Sequence, residues 1–129
     1  MPDVTVQSVD EMEPLFGGLF VRARAGLGVT AFGLQVENLP ANHQDYPEHN
    51  HDSDGQEEVY TALSGSAQLQ ADGQSWDLTP GVFARVGPGQ SRKIVTGGDA
   101  CQLLVIGATP GQGYEAPPFT ELGAPAPGA

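Results

Sequence analysis

The sequence predicts an all-β fold, an antiparallel β-barrel running from about residue 19 to 108. Three observations carry this reading. Apolar and polar residues alternate with period two along most of that span, the spacing that turns one face of a strand toward a core. Gly and Pro, 18 and 11 of 129 residues, gather into turn signals at roughly ten-residue intervals, the pattern of a sandwich or barrel. No amphipathic stripe of helical period runs for a convincing length.

In chain order, LFVRARA (19–25) and VTAFGLQVE (29–37) read as strands joined through the glycines of 26–28. EEVYTAL (57–63) follows and ends at Ser64-Gly65-Ser66. AQLQA (67–71) sets Ala67, Leu69 and Ala71 on one face, with Gln68 and Gln70 on the other. Asp72-Gly73 then makes a two-residue hairpin turn, because glycine accepts the positive φ such turns require, and QSWDL (74–78) returns. Thr79-Pro80-Gly81 leads into VFARV (82–86), Gly87-Pro88-Gly89 into SRKIV (91–95), and Gly97-Gly98 into ACQLLVIGA (100–108). About eight strands result. Val59, Leu69, Trp76, Leu78, Val86, Leu103 and Val105 are the core candidates.

The flanks divide the chain into an N-terminal strand or arm (1–18), the barrel (19–108), and a C-terminal wrap with a Pro/Gly/Ala-rich tail (109–129). In the arm, VTVQSV (4–9) has β-propensity but no local partner. Tyr114 and Phe119 suit the wrap, and the residues from about Leu122 read as tail. One domain of this length buries about two thirds of its unfolded surface. The net charge of -11 sets sixteen acids against Arg22, Arg24, Arg85, Arg92 and Lys93. It would repel a phosphate backbone or an anionic bilayer, so neither nucleic acid nor membrane is an expected partner. Cys101, alone in the chain, reads as a small core residue within CQLLVIGA. The N-terminus lacks the basic start and apolar run of a signal peptide, and no window suits a transmembrane helix. A soluble, cytoplasmic protein is the expectation.

Chemistry concentrates in YPEHNHDSDGQEEVY (46–60). In an extended segment His49 and His51 point to one side, so both imidazoles can meet one ion. A carboxylate from a neighbouring strand would complete a two-His, one-carboxylate face that leaves open positions on a metal. On spacing alone, two solvated loop histidines in an acidic surface read equally well. Asn50, Asp52, Asp54 and Gly55 imitate the start of an EF-hand loop, but its twelfth position is Thr61 rather than Glu, and no helices flank it. GATPGQG (107–113) lacks the Lys-Ser/Thr ending of a phosphate loop.

From residue 49 to 106 the chain resembles the cupin family, and is similar to its small single-domain, conserved-barrel members of the cupin-2 type. The first cupin motif runs H-x-H, three or four residues, Glu, six residues, Gly. His49-Asn50-His51 opens it, and Glu58 lies seven positions before Gly65. The intervening loop DSDGQE is longer than usual, and His43 stands where a Gly commonly precedes the motif. Glu57 suits the loop length slightly better, but the Gly65 spacing and the following Val59-Tyr60 select Glu58. In the second motif, G-x5-P-x-G-x2-H-x3-N, Gly81 and Gly89 keep register, while Gly87, Arg92 and Thr96 replace the Pro, the His and the Asn.

The resemblance implies a jelly-roll, double-stranded β-barrel, a small-molecule ligand, and a divalent metal (Zn, Fe, Mn or Ni) on His49, His51 and Glu58. His43, Gln44 and Tyr46 are in reach as a fourth ligand. Arg92 cannot ligate, since arginine stays protonated and offers no lone pair. With Tyr46 and Tyr60 it is expected to bind the ligand, holding an anionic end. In an empty site it would pair with Glu58, because a buried guanidinium needs a carboxylate, and the barrel would then be metal-free. The functional expectation is a metal-dependent enzyme of oxygenase or isomerase type acting on a small acidic or carbonyl metabolite. The alternative is a non-catalytic small-molecule-binding or sensing barrel with a degenerate metal site. No catalytic residue is assigned. Cupin barrels often pair through N-terminal strands, so a homodimer is expected.

Overall fold

The computed structural model describes residues 2–127. The last two residues of the expected tail lie outside them. After a single 3-10 turn at Val9–Glu11 come β1 (Pro14–Leu15), β2 (Phe20–Val21), one turn of helix α1 (Ala23–Leu27), and β3 (Gly33–Leu39). Then follow β4 (Glu57–Gly65), β5 (Ala67–Ala71), β6 (Gln74–Leu78), β7 (Phe83–Val86), β8 (Lys93–Val95), β9 (Cys101–Ala108) and a 3-10 turn at Pro118–Thr120. The larger sheet runs β1-β2-β3-β9-β4-β7 and the smaller one β6-β5-β8, every pairing antiparallel. Hydrogen bonds do not close the two sheets into one, as befits a jelly roll.

The alternation along each strand puts its apolar set between the sheets. Tyr60, Ala62, Leu103 and Val105 of the larger sheet pack with Leu69, Leu78 and Ile94 of the smaller. The chain changes sheets at Gly65, where φ is +71° and a Cβ would sit 1.9 Å from the Ala100 carbonyl oxygen. Only glycine fits there, just past the register shift between Ala62 and Ser64 in the pairing of β4 with β9. Asp72-Gly73 turns β5 into β6 with φ of 50° and 72°, both positive as a two-residue hairpin of this kind needs.

β3 is covered on both faces. Val36 packs outward with Val21 and Ala23 under Val9 and Met12, while Gln35, Glu37 and Leu39 line an interior cavity. Three expectations change here. The segment 19–25 is not a continuous strand: Ala, Arg and Leu are good helix formers, and Gly28, left-handed at φ 77°, ends the resulting turn. The strand expected over 29–37 begins only at Gly33 and runs to Leu39. Residues 4–9 form no strand, and Val4 and Val6 are 72% and 86% exposed. Among the core candidates, Leu69, Leu78, Val86, Leu103 and Val105 are buried. Val59 is half-buried, and Trp76 is 46% exposed because β6 is an edge strand whose last residue, Leu78, alone is buried.

Candidate functional site

Glu58 sits at the start of β4 between β7 and β9, opposite Val86 on one side and Gly107 on the other. His49 and His51 come from the loop before β4. That loop is fastened to the chain ahead of β8: His49 and Arg92 exchange backbone hydrogen bonds of 3.0 and 2.9 Å, and the His51 amide donates to the Pro88 carbonyl at 2.7 Å. The three side chains converge, with one ligand atom from each lying within 4.8 Å of the others.

The imidazole tautomers follow from what each Nδ1 meets. His51 Nδ1 lies 3.1 Å from Asp54 Oδ1, and His49 Nδ1 lies 3.2 Å from the Pro47 carbonyl oxygen. Both neighbours only accept, so both Nδ1 atoms carry the hydrogen and both Nε2 lone pairs face inward. They meet the carboxylate: Glu58 Oε1 is 3.2 Å from His51 Nε2 and 3.6 Å from His49 Nε2. Acceptors facing an acceptor need a positive charge between them. His51 Nε2 is accordingly buried with no hydrogen-bond partner. A divalent cation or a proton meets that need, so the donor set fits a metal. The long DSDGQE loop acquires a reason: it turns back on His51 and supplies Asp54, the carboxylate that orients the ring.

Glu58 Oε1 also accepts from Tyr60 at 2.7 Å and from Arg92 Nη2 at 2.6 Å. Burial alone would raise the Glu58 carboxyl, but hydrogen bonds from His49 when its imidazole is protonated, and from Tyr60 and Arg92, outweigh it and bring it down to about 2. The hydrogen bond to Glu58 raises the His49 imidazole against its own burial. Arg92 is wholly buried, and all three guanidinium nitrogens are bonded: Nε to Tyr60, Nη1 to the Gln90 carbonyl at 2.8 Å, and Nη2 to Glu58. Neither Arg92 nor Tyr60 lines the cavity, and both are hydrogen-bonded to Glu58. Glu57 points away and pairs with Arg85.

The cavity in front of these groups has a volume of about 560 Å³. Leu19, Phe20, Leu39, Val105, Tyr114 and Phe119 form its apolar walls, and Gln35, Glu37, His43, Tyr46 and the three converging residues its polar ones. The C-terminal segment forms one wall and is held by two buried arginines. Arg22 pairs with Glu13 and donates to the Phe119 and Ala124 carbonyls, and Arg24 pairs with Glu121 at 2.9 Å. Tyr46 turns its hydroxyl to Glu37, at 3.3 Å. Glu37 is a functional candidate that the sequence reading missed. Desolvation raises its carboxyl to about 7, against hydrogen bonds from Gln35 and Tyr46. The one signal for it was an acid at an inward position of the β3 alternation.

Solved structures with this architecture decide the fold. A cupin protein from Bacteroides fragilis superposes with a TM-score of 0.67 at 24% identity, over 89% of this chain and 93% of that one. This is the cupin fold. A sugar phosphate isomerase of the cupin superfamily from Silicibacter pomeroyi follows with a TM-score of 0.64 at 17% identity, over 81% of this chain and 75% of that one. A DMSP lyase matches with a TM-score of 0.54 at 24% identity, over 65% of this chain but only 42% of the lyase. No protein-family model and no curated protein matches the sequence.

Proposed function

We propose that this cupin barrel is a divalent-metal-dependent enzyme acting on a small carbonyl- or hydroxyl-bearing metabolite. One observation carries the reading: two inward Nε2 lone pairs and a carboxylate held ionised converge at the wall of a cavity with apolar sides. His49, His51 and Glu58 would hold the ion, which when bound polarises an oxygen of the substrate. The chain's own residues do the rest. Asp54 and the Pro47 carbonyl keep the imidazoles in the ligating tautomer, and Arg92 and Tyr60 keep Glu58 ionised and aimed. Phe20, Leu39, Val105 and Phe119 give the cavity its apolar walls. An acidic substrate has no anchor here, because Arg92 is committed to Glu58. The isomerase and lyase among the fold neighbours support an enzymatic use of such a barrel.

The second reading, a ligand-binding barrel without catalysis, is favoured by Arg92 itself, which already balances the Glu58 charge. Metal retention separates the two. Protein incubated with Zn(II), Mn(II), Fe(II) or Ni(II) and then dialysed should keep about one ion per chain, and the His49→Ala/His51→Ala variant none. Retention should fall as the pH drops through about 6, since an imidazole must be neutral to ligate. Glu57→Gln should change little. Equal retention by the double variant would show the ion to be adventitious and would favour the binding barrel.

A further inference from the structure

Glu37 lies on the cavity side of β3 between Gln35 and Leu39, and is 5% exposed. Its Oε2 accepts from both the Gln35 amide and the Tyr46 hydroxyl. Its Oε1 accepts no hydrogen bond from the described residues, yet it is not sealed off as a buried orphan. Glu37 stands apart from the three converging residues, which form a cluster without it. Among the described residues no Arg or Lys lines the cavity, whereas Asp45 and Glu115 do. A carboxyl in such a place is unfavourable by itself, and Leu39 and Val105 beside it show that an apolar side chain would suit the same wall. Its retained oxygen therefore has a use that the protein does not supply.

We infer that Glu37 selects the ligand: its open oxygen accepts a hydroxyl or ammonium proton from a small ligand of no net negative charge. The inference rests on the proposed function only in placing the ligand's other end at His49, His51 and Glu58. Gln35 and Tyr46 hold the carboxyl in one orientation, so a donor entering the cavity meets a fixed acceptor. In the metal-free cavity an anionic ligand meets Glu37, Asp45 and Glu115 with no arginine or lysine to offset them.

Three probes of one shape test this. Benzylamine, benzyl alcohol and benzoate are titrated above pH 8, where the Glu37 carboxyl is ionised, into zinc-loaded and metal-stripped protein, with binding read from backbone amide NMR shifts. Metal-stripped wild type should bind the amine or the alcohol roughly tenfold or more tighter than benzoate, the worth of one charge-assisted hydrogen bond. Glu37→Gln should erase that preference, whereas Glu57→Gln, which removes the same charge outside the cavity, should keep it. Loss of the amine preference alone identifies an ammonium ligand, and loss of the alcohol preference a hydroxyl one. Benzoate binding as tightly as the amine in metal-stripped wild type would overturn the inference. So would selectivity unchanged in Glu37→Gln, which would trace it to the overall charge. Because the metal-stripped arm reads Glu37 alone, failure to retain zinc would sink the metal reading and leave this one standing.

Discussion

At the residue scale, the two buried carboxyls respond to pH with opposite signs. Glu58 lies below its unfolded value, so the stability it brings is present above about pH 4.5 and is lost as pH falls toward 2. Glu37 lies above its unfolded value. Between 4.5 and about 7 the unfolded chain gives up this proton while the folded chain keeps it, so stability falls as pH rises. The loss amounts to about 3 kcal/mol once both states are ionised. Urea denaturation of Glu37→Gln should therefore match wild type near pH 4, and show a gain approaching about 3 kcal/mol at pH 8. Parallel pH profiles would mean that Glu37 is not desolvated. Arg92→Ala should cost about 3–5 kcal/mol, because it leaves the Glu58 charge and the Gln90 carbonyl without their main partner. A loss under about 1 kcal/mol would put the guanidinium at the rim.

At the element scale, the site depends on where strands end. Glu58 is held between β7 and β9 because β4 stays in the larger sheet until Gly65 releases it. Gly65→Ala combines an unfavourable positive φ with a clash on the Ala100 backbone, and neither relaxes without moving β9. We expect it to lose about 3 kcal/mol or more in denaturant melts, whereas Gly73→Ala, with open space at its Cβ, should lose about 1 kcal/mol. Equal losses would mean that the corner at Gly65 is not tight.

At the scale of the whole molecule, β7 and β6 are edges, and the extended N-terminal segment leaves Val4 and Val6 in solvent. Exposed edges and an unpaired arm of high β-propensity are covered in stable proteins, and a second copy is the economical cover. Sedimentation at tens of micromolar should give a dimer, and deletion of residues 2–8 a monomer; a wild-type monomer would end this expectation. Among the described residues no helix is long and apolar enough to cross a membrane.

Local pattern determined much of this protein. Period-two alternation and the Asp72-Gly73, Pro80-Gly81 and Gly87-Pro88-Gly89 turns marked β4 to β9 nearly residue by residue, because each strand half-faces one core. The shared side of His49 and His51 was legible because H-x-H on an extended segment has one geometry, whereas Glu58 was singled out by the resemblance to the first cupin motif. Where both faces of a segment are covered, alternation fades, so β2, α1 and β3 were misjudged between residues 19 and 39. The resemblance to the second cupin motif had put Arg92 opposite Glu58, and the two do pair. Tertiary structure alone decided the other partners: it brought Tyr60 to Arg92 across 32 residues, Arg22 to the C-terminal wall across 97, and Tyr46 to Glu37 inside the cavity. A buried charge takes whatever partner the packed chain delivers, and no local spacing records which one that is.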